Sequence, residues 1–153
     1  MPNSTKKKLR LQDYLPYRLS VAANAVSKLI ARAYEDQFDL KIPEWRLIAV
    51  LADEGPLTPQ ALCERTIMDK VTVTRAAQGL LGRSLIKREP NSSDGRSHRL
   101  LLTASGERLY EQIAPLALEY ETQLLAGIDQ REIKALERQL RRLEQAAGEL
   151  SRR

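Results

Sequence analysis

The side chains best suited to binding chemistry fall in the middle third of this chain. Lys70, Thr72, Thr74 and Arg75 follow one another at the start of a predicted helix. Arginine can pair with guanine through two hydrogen bonds, threonine can bond to a base or touch a thymine methyl group, and lysine can neutralise a phosphate. These types favour a helix that reads duplex DNA, although an ordinary solvated helix face carries the same residues.

A second group of cations follows in a predicted β-hairpin at 85–102, which has a polar turn, Asn-Ser-Ser-Asp-Gly. Because the hairpin comes directly after the helix, its charges are expected beside the same surface. A loop arginine can enter the minor groove, where negative potential is concentrated, so Arg96 is the predicted minor-groove contact. Asp94 is expected to shape the turn. The predicted phosphate contacts are Lys70, Lys87, Arg88 and Arg99.

Catalysis has little support in the same residues. His98 is the only histidine and Cys63 the only cysteine, so no nucleophile–base pair can be assembled from the sequence. No glycine-rich phosphate loop is present either. A single thiol gives no disulfide framework or metal cluster, which predicts a reducing compartment, no metal and no cofactor. The chain is therefore predicted not to be an enzyme, and the role of Cys63 stays open.

Charge and hydropathy narrow the class of protein. The chain has 153 residues and a net charge of +5, and residues 56–102 alone carry 8 Lys+Arg against 4 Asp+Glu. A basic surface attracts polyanions such as nucleic acid. No secretory signal and no stretch of 18 apolar residues is found, so a cytoplasmic protein without membrane contact is expected.

Hydrophobic periodicity predicts the elements that must position these side chains, in the order of four helices, a hairpin and two helices. Residues 1–12 are predicted to form a basic flexible arm, and 13–153 a single domain. Within it, the long helices at 14–38 and 103–150 flank a compact region at 43–102. The predicted fold is mainly α with a small β-hairpin.

Capping residues and the spacing of apolar side chains indicate where the helices begin and how they pack. The predicted helix caps are Thr58, Asp69, Thr103 and Asp129. The short helix after Thr58, a four-residue turn and the helix after Asp69 form a helix-turn-helix, whose second helix enters a major groove. In the last helix, apolar residues from Ile133 to Leu150 recur every three or four positions. This seam suits packing against a second chain or within one chain, and spacing alone leaves both open.

Several motifs in order resemble the MarR family of winged helix-turn-helix transcription regulators. The family's wing pattern is matched by Asp94, Arg96, Leu102, Thr103 and Gly106, and its recognition-helix pattern by "DKVTVTR" from 69 to 75. "SLIKRE" resembles the family's entry into the wing, although Ser84 stands where glycine is frequent. If Ser84 has a left-handed backbone, it costs roughly 1 kcal/mol. The resemblance covers roughly residues 13–150.

The resemblance implies an obligate homodimer formed by the long helices. It also implies a repressor that a small anionic, often phenolic ligand releases from DNA. The family's usual pocket, between the dimer helices and the winged domain, would involve Tyr17, Arg18, Trp45 and Arg46 here. An aromatic plate and a guanidinium would suit an aromatic carboxylate, although Trp45 could equally be core and Arg46 could serve a salt bridge.

The sequence thus predicts a homodimeric, sequence-specific duplex DNA-binding transcriptional regulator, most simply a ligand-released repressor. Two-fold symmetry predicts a palindromic operator with half-sites about 10 bp apart. The alternative is a dimeric helical module for ligand sensing or protein interaction that has no DNA binding. The basic hairpin argues against the alternative.

Overall fold

The computed structural model describes residues 6–92 and 94–153, with the backbone but not the side chain of Asp94. Six α-helices and one antiparallel hairpin make up this part of the chain, which confirms the predicted fold class. In chain order they are α1 (Leu15–Ala31), α2 (Ile42–Glu54), α3 (Pro59–Thr66), α4 (Lys70–Gly82), β1 (Ile86–Asn91), β2 (Asp94–Leu102), α5 (Ala104–Leu125) and α6 (Gln130–Ser151). A single 3₁₀ turn, Leu11–Asp13, precedes α1.

The chain divides into two compact units, one ending at Ala117 and one from Leu118 to Arg153. The first unit contains the core, because α2, α3, α4, the hairpin and the start of α5 each contribute large apolar side chains to it. The fully buried ones include Leu47, Ile48, Leu62, Val73, Leu80, Ile86, Leu100 and Ile113. These residues follow the helical and strand periodicities of the sequence, so burial of apolar surface explains why the elements form where they do.

The hairpin is fixed beside the helix-turn-helix by a third stretch of chain. Its strands pair from Ile86 opposite Leu102 to Asn91 opposite Asp94, with a register irregularity after Pro90. The segment before α3 then joins β2, because Leu57 donates its N–H to the carbonyl of Leu100 (3.0 Å) and accepts the N–H of Leu100 (2.8 Å). The hairpin is therefore attached to the start of the helix-turn-helix as well as to its end.

The first helix ends at Ala31, earlier than the predicted 38. Residues 32–38 form turns and a bend instead, and Asp39 has a left-handed backbone (φ 51°). Tertiary contacts explain the difference. The guanidinium of Arg83 donates to the carbonyls of Phe38 (2.9 Å) and Asp39 (2.8 Å), and Tyr34 is buried. These contacts hold the segment after α1 against the end of α4 and against the core.

The second unit exposes its apolar seam. Leu136, Leu140, Leu143 and Leu150 of α6 are 39–62% exposed, and α6 has no buried residue. Asp129 caps this helix as predicted, since its carboxylate accepts the N–H of Arg131. None of the helices in residues 6–92 and 94–153 combines the length and the apolar character needed to span a bilayer.

Candidate nucleic-acid interface

The helix-turn-helix is held by caps at both of its helices. Thr58 accepts the N–H of Ala61 (3.1 Å) at the start of α3, and Asp69 accepts the N–H of Thr72 (2.7 Å) at the start of α4. The Thr72 hydroxyl donates to the second carboxylate oxygen of Asp69 (3.0 Å). These hydrogen bonds stabilise the charged carboxylate and so hold the pKa of Asp69 below its ordinary value. The bond from the backbone N–H of Thr72 contributes most, followed by the bond from its hydroxyl. The predicted caps are confirmed, and they fix where α4 begins.

The turn between the two helices contains an unusual backbone. Ile67, the C-cap of α3, has a left-handed conformation (φ 54°, ψ 36°). A branched side chain is strained there, because its Cβ crowds the neighbouring carbonyl oxygen. The turn thus gives the two helices their relative direction at an energetic cost.

Helix α4 buries one face and exposes the other. Val73, Ala76, Ala77 and Leu80 are buried against the rest of the domain. The opposite, exposed face carries the residues Lys70, Val71, Thr74, Arg75 and Gln78. The predicted base-reading residues Thr74 and Arg75 are therefore presented to solvent on the helix that would enter a groove.

The structure brings part of the α4 face and part of the hairpin into one cleft. The cleft has a volume of about 260 Å³, and its polar lining comprises Lys70, Thr74, Gln78, Arg88 and His98. Two predicted phosphate contacts and one predicted base contact therefore share a concave surface. A groove-shaped, cationic surface beside a helix is what a phosphate backbone requires.

Thr72 and Arg75 do not line this cleft. They lie on the flank of α4 that is next to the N-terminus of α2. They line a separate cleft of about 280 Å³ together with Lys41 and Glu44 of the α2 N-terminus. Because the Thr72 hydroxyl already donates to Asp69, Thr72 also completes the cap of α4. Its prediction as a base contact therefore depends on its methyl group or on the hydroxyl as an acceptor.

The hairpin cations are not equivalent. Arg88 and Arg96 are exposed, and so is Lys87, but strand alternation points Lys87 to the face opposite Arg88. Arg99 forms an ion pair with Glu89, its partner across the strands (2.7 Å). Part of the Arg99 charge is thereby neutralised within the hairpin.

Two other predictions concern side chains near this surface. The side chain of Asp94 lies outside the described part of the structure, so its role in shaping the wing stays a prediction. Cys63 is half-buried and lines a cleft of about 340 Å³ between α3 and α4 with Lys70 and Thr74. It therefore stands at the edge of the core, beside the exposed face of α4.

The predicted effector residues separate into one stacked aromatic ring and three exposed side chains. Trp45 stacks between Tyr34 and Tyr110, with ring centroids 5.6 and 5.9 Å apart and interplanar angles of 21° and 17°. Burial, and then Glu35, raise the pKa of Tyr34, while Arg46 opposes the shift. Trp45 therefore takes part in two aromatic stacks within the chain. The exposed three are Tyr17, Arg18 and Arg46.

Sequence reasoning missed two residues that position the interface. Arg83 ties the end of α4 to the loop before α2 through the carbonyls of that loop. Glu44, the only buried charged residue in the described chain, accepts the N–H of Lys41 (2.9 Å) and so caps α2, for which the sequence analysis named no capping residue. Its carboxylate also stands against Gly79 of α4, where any Cβ would meet it. A glutamate three residues after the cap position was the available signal.

Comparisons with known proteins agree with this geometry. Residues 38–97 match the sequence profile of the MarR family. The HTH-type transcriptional regulator YwoH of Bacillus subtilis is 28% identical over 117 residues, which are 74% of this chain and 85% of YwoH. The crystal structure of a MarR/EmrR family transcriptional regulator from Acinetobacter sp. ADP1 has a TM-score of 0.83 and 26% identity, and the match covers 92% of this chain and 99% of that one. Over residues 38–97 the chain is therefore similar to the MarR family in sequence, and its fold is that of a MarR/EmrR family regulator.

A second solved structure shares the fold. BpsR of Bordetella bronchiseptica, whose DNA binding is regulated by 6-hydroxynicotinic acid, has a TM-score of 0.76 and 22% identity. The match covers 85% of this chain and 98% of BpsR. The relatives compared are transcriptional regulators, and this chain shares the winged helix-turn-helix fold of that group. Among the described residues, no cluster of His, Cys, Asp and Glu is arranged to hold a metal ion.

Proposed function

We propose that this chain is a homodimer that binds duplex DNA sequence-specifically and represses transcription. The observation that carries the proposal is the cleft between α4 and the hairpin, where Lys70, Thr74 and Arg88 lie together. The surrounding region, 56–102, is also the most basic third of the chain. Cations beside a solvent-facing helix supply both the electrostatic affinity and the base contacts that operator binding needs.

Each predicted DNA contact has a distinct role in this proposal. Thr74 and Arg75 read base edges in the major groove, with Thr72 beside them, and Arg96 enters the minor groove. The phosphate contacts are Lys70, Lys87, Arg88 and Arg99. Because Arg99 is paired with Glu89, we expect its contribution to be smaller than that of Arg88.

The exposed leucine seam of α6 supports the homodimer. Apolar side chains from Leu136 to Leu150 remain accessible in the single chain, and burying them against a second copy would be favourable. Two-fold symmetry then predicts a palindromic operator with half-sites about 10 bp apart. Light scattering at micromolar concentration should give twice the chain mass of 17.3 kDa, and a monomer would contradict the symmetry.

A small effector is the second part of the proposal. BpsR, which shares the fold, responds to 6-hydroxynicotinic acid, an aromatic carboxylate. Tyr17, Arg18 and Arg46 provide an aromatic ring and two guanidiniums for such a ligand, while Trp45 supports the site through its stack. Calorimetric titration with a set of aromatic carboxylates tests this, with Arg18→Ala and Arg46→Ala as the variants that should weaken binding.

DNA binding is tested by measuring affinity for selected duplexes against salt concentration. The dissociation constant should rise steeply with salt, because each cation that neutralises a phosphate releases counterions. Arg96→Ala should weaken binding by roughly 1–3 kcal/mol. Arg131→Ala on α6 is the matched control and should change little. Absence of affinity, or affinity that ignores salt, would instead favour a dimeric helical module for ligand sensing or protein interaction.

A further inference from the structure

Two branched apolar side chains stand exposed in the helix-turn-helix. Ile67, in the turn, is 88% exposed, and Val71, in the first turn of α4, is 59% exposed. Neither exposure is explained by folding, since an exposed apolar side chain gains no burial. A valine in a helix also loses side-chain freedom, so most polar residues would form this first turn as well or better.

The proposed dimer does not account for these two side chains. The other exposed large apolar residues of the described chain fall at 9–26 or at 116–150, and these are the segments on the helices proposed for dimerisation or just before them. Ile67 and Val71 lie apart from both, within the region proposed to face DNA. Their exposure therefore requires a binding partner other than a second copy of the chain.

Helical geometry gives the direction of Val71. It precedes the buried Leu80 by nine residues, which at about 100° per residue is two and a half turns, so the two side chains point to opposite sides of α4. Its immediate neighbour Lys70 and the exposed Arg75 are cations. Val71 is thus an apolar group at the centre of a positively charged, outward helix face.

We propose that Val71 contacts the 5-methyl group of a thymine in each half-site of the operator, and so determines sequence specificity there. This inference rests on the proposed DNA binding. The thymine methyl is the apolar group that base pairs present in the major groove, and small apolar side chains recognise it. The flanking cations Lys70 and Arg75 favour a polyanion as the occupant, and the N-terminal turns of a reading helix are the part that reaches the bases.

The test removes the methyl group alone. A preferred duplex is first selected from a random library with the full-length chain. Each thymine in it is then replaced, one at a time, by deoxyuridine, which lacks the 5-methyl group, and the dissociation constant is measured by fluorescence anisotropy at fixed salt. At one thymine per half-site, the replacement should weaken binding about three- to tenfold, as expected for the loss of one buried methyl group.

Two variants identify the side chain responsible. Val71→Ala should bind the thymine duplex about three- to tenfold more weakly and should be indifferent to deoxyuridine at that position. Ile67→Ala is the matched control, because it removes an exposed branched side chain outside the helix, and it should keep the sensitivity to the methyl group. Thermal melts should show that both variants fold, since both side chains are exposed.

The failures are distinguishable. If no duplex is selected at all, the proposed function fails and this inference with it. If a duplex is selected but no deoxyuridine replacement changes the dissociation constant by more than about twofold, the methyl contact alone is wrong. The methyl contact by Val71 is also wrong if Val71→Ala remains as sensitive to the deoxyuridine replacement as the wild type.

Discussion

Replacing Gly106 by alanine should destabilise the junction between the hairpin and α5. Gly106 is buried in the first turn of α5, and a Cβ there would overlap the carbonyl oxygen of Leu85 and lie 3.1 Å from its carbonyl carbon. It would also approach the side chain of Leu102 to 3.3 Å. The main obstacle is backbone, which cannot rotate aside as a flexible side chain would.

Hydrogen bonds at the same junction set the size of the effect. Thr103 donates its N–H to Leu85 (3.1 Å) and its hydroxyl to the carbonyl of Ser84 (2.7 Å), and it accepts the N–H of Gly106 (3.1 Å). Moving α5 away to admit a methyl group would weaken these bonds, each worth about 1 kcal/mol. Together with overpacking of about 1–3 kcal/mol, we expect a loss of about 2–4 kcal/mol in the free energy of unfolding.

The assay is urea denaturation at one fixed protein concentration, since the proposed dimerisation would make apparent stability depend on concentration. The matched control is Gly82→Ala at the end of α4, where no atom lies within 4 Å of the position that the new methyl group would take. It should be neutral or should stabilise by up to about 1 kcal/mol, because alanine forms helix better than glycine. A loss below about 1 kcal/mol for Gly106→Ala, or equal losses for both variants, would refute the overlap argument.

Two further variants test local backbone and charge. Ser84 is left-handed (φ 57°), so Ser84→Gly should raise the free energy of unfolding by about 0.5–1 kcal/mol in urea denaturation, and an unchanged midpoint would contradict this. The pKa of Asp69 is lowered in the folded state, so its stabilisation is complete above the unfolded pKa and is lost as pH falls through the folded one. The stability difference between the wild type and Asp69→Asn, which keeps a neutral cap, should therefore narrow in acid; a constant difference would contradict the assignment.

Local rules predicted the elements because local interactions form them. Thr58, Asp69, Thr103 and Asp129 cap their helices as their types and positions indicate, and apolar periodicity identified the buried face of α4. Ser84 stands where glycine is frequent in the family that the sequence resembles, and its backbone is left-handed, a conformation that glycine adopts readily. In each case the deciding partner lies within four residues or follows from the helical repeat.

Predictions that depended on distant partners were less complete. The predicted end of α1 was wrong: the helix ends at Ala31, and the segment that follows is held by Arg83, more than forty residues away, through the carbonyls of Phe38 and Asp39. The ion pair of Arg99 with Glu89 depends on the register of the two strands. The polar turn in the sequence does not specify that register, so the pair could not be predicted. Side-chain pairing across elements is therefore the information that periodicity and caps do not contain.

Trp45 shows how such pairing changes a functional argument. From the sequence, an aromatic ring next to Arg46 could be a ligand platform or part of the core. In the structure the ring stacks on Tyr34, from the segment after α1, and on Tyr110 of α5, so Trp45 joins α2 to both of these segments. If Arg46 binds the proposed effector, a shift of this stack would reach α4, because α2 packs directly against α4, and the exposed face of α4 carries the proposed base contacts.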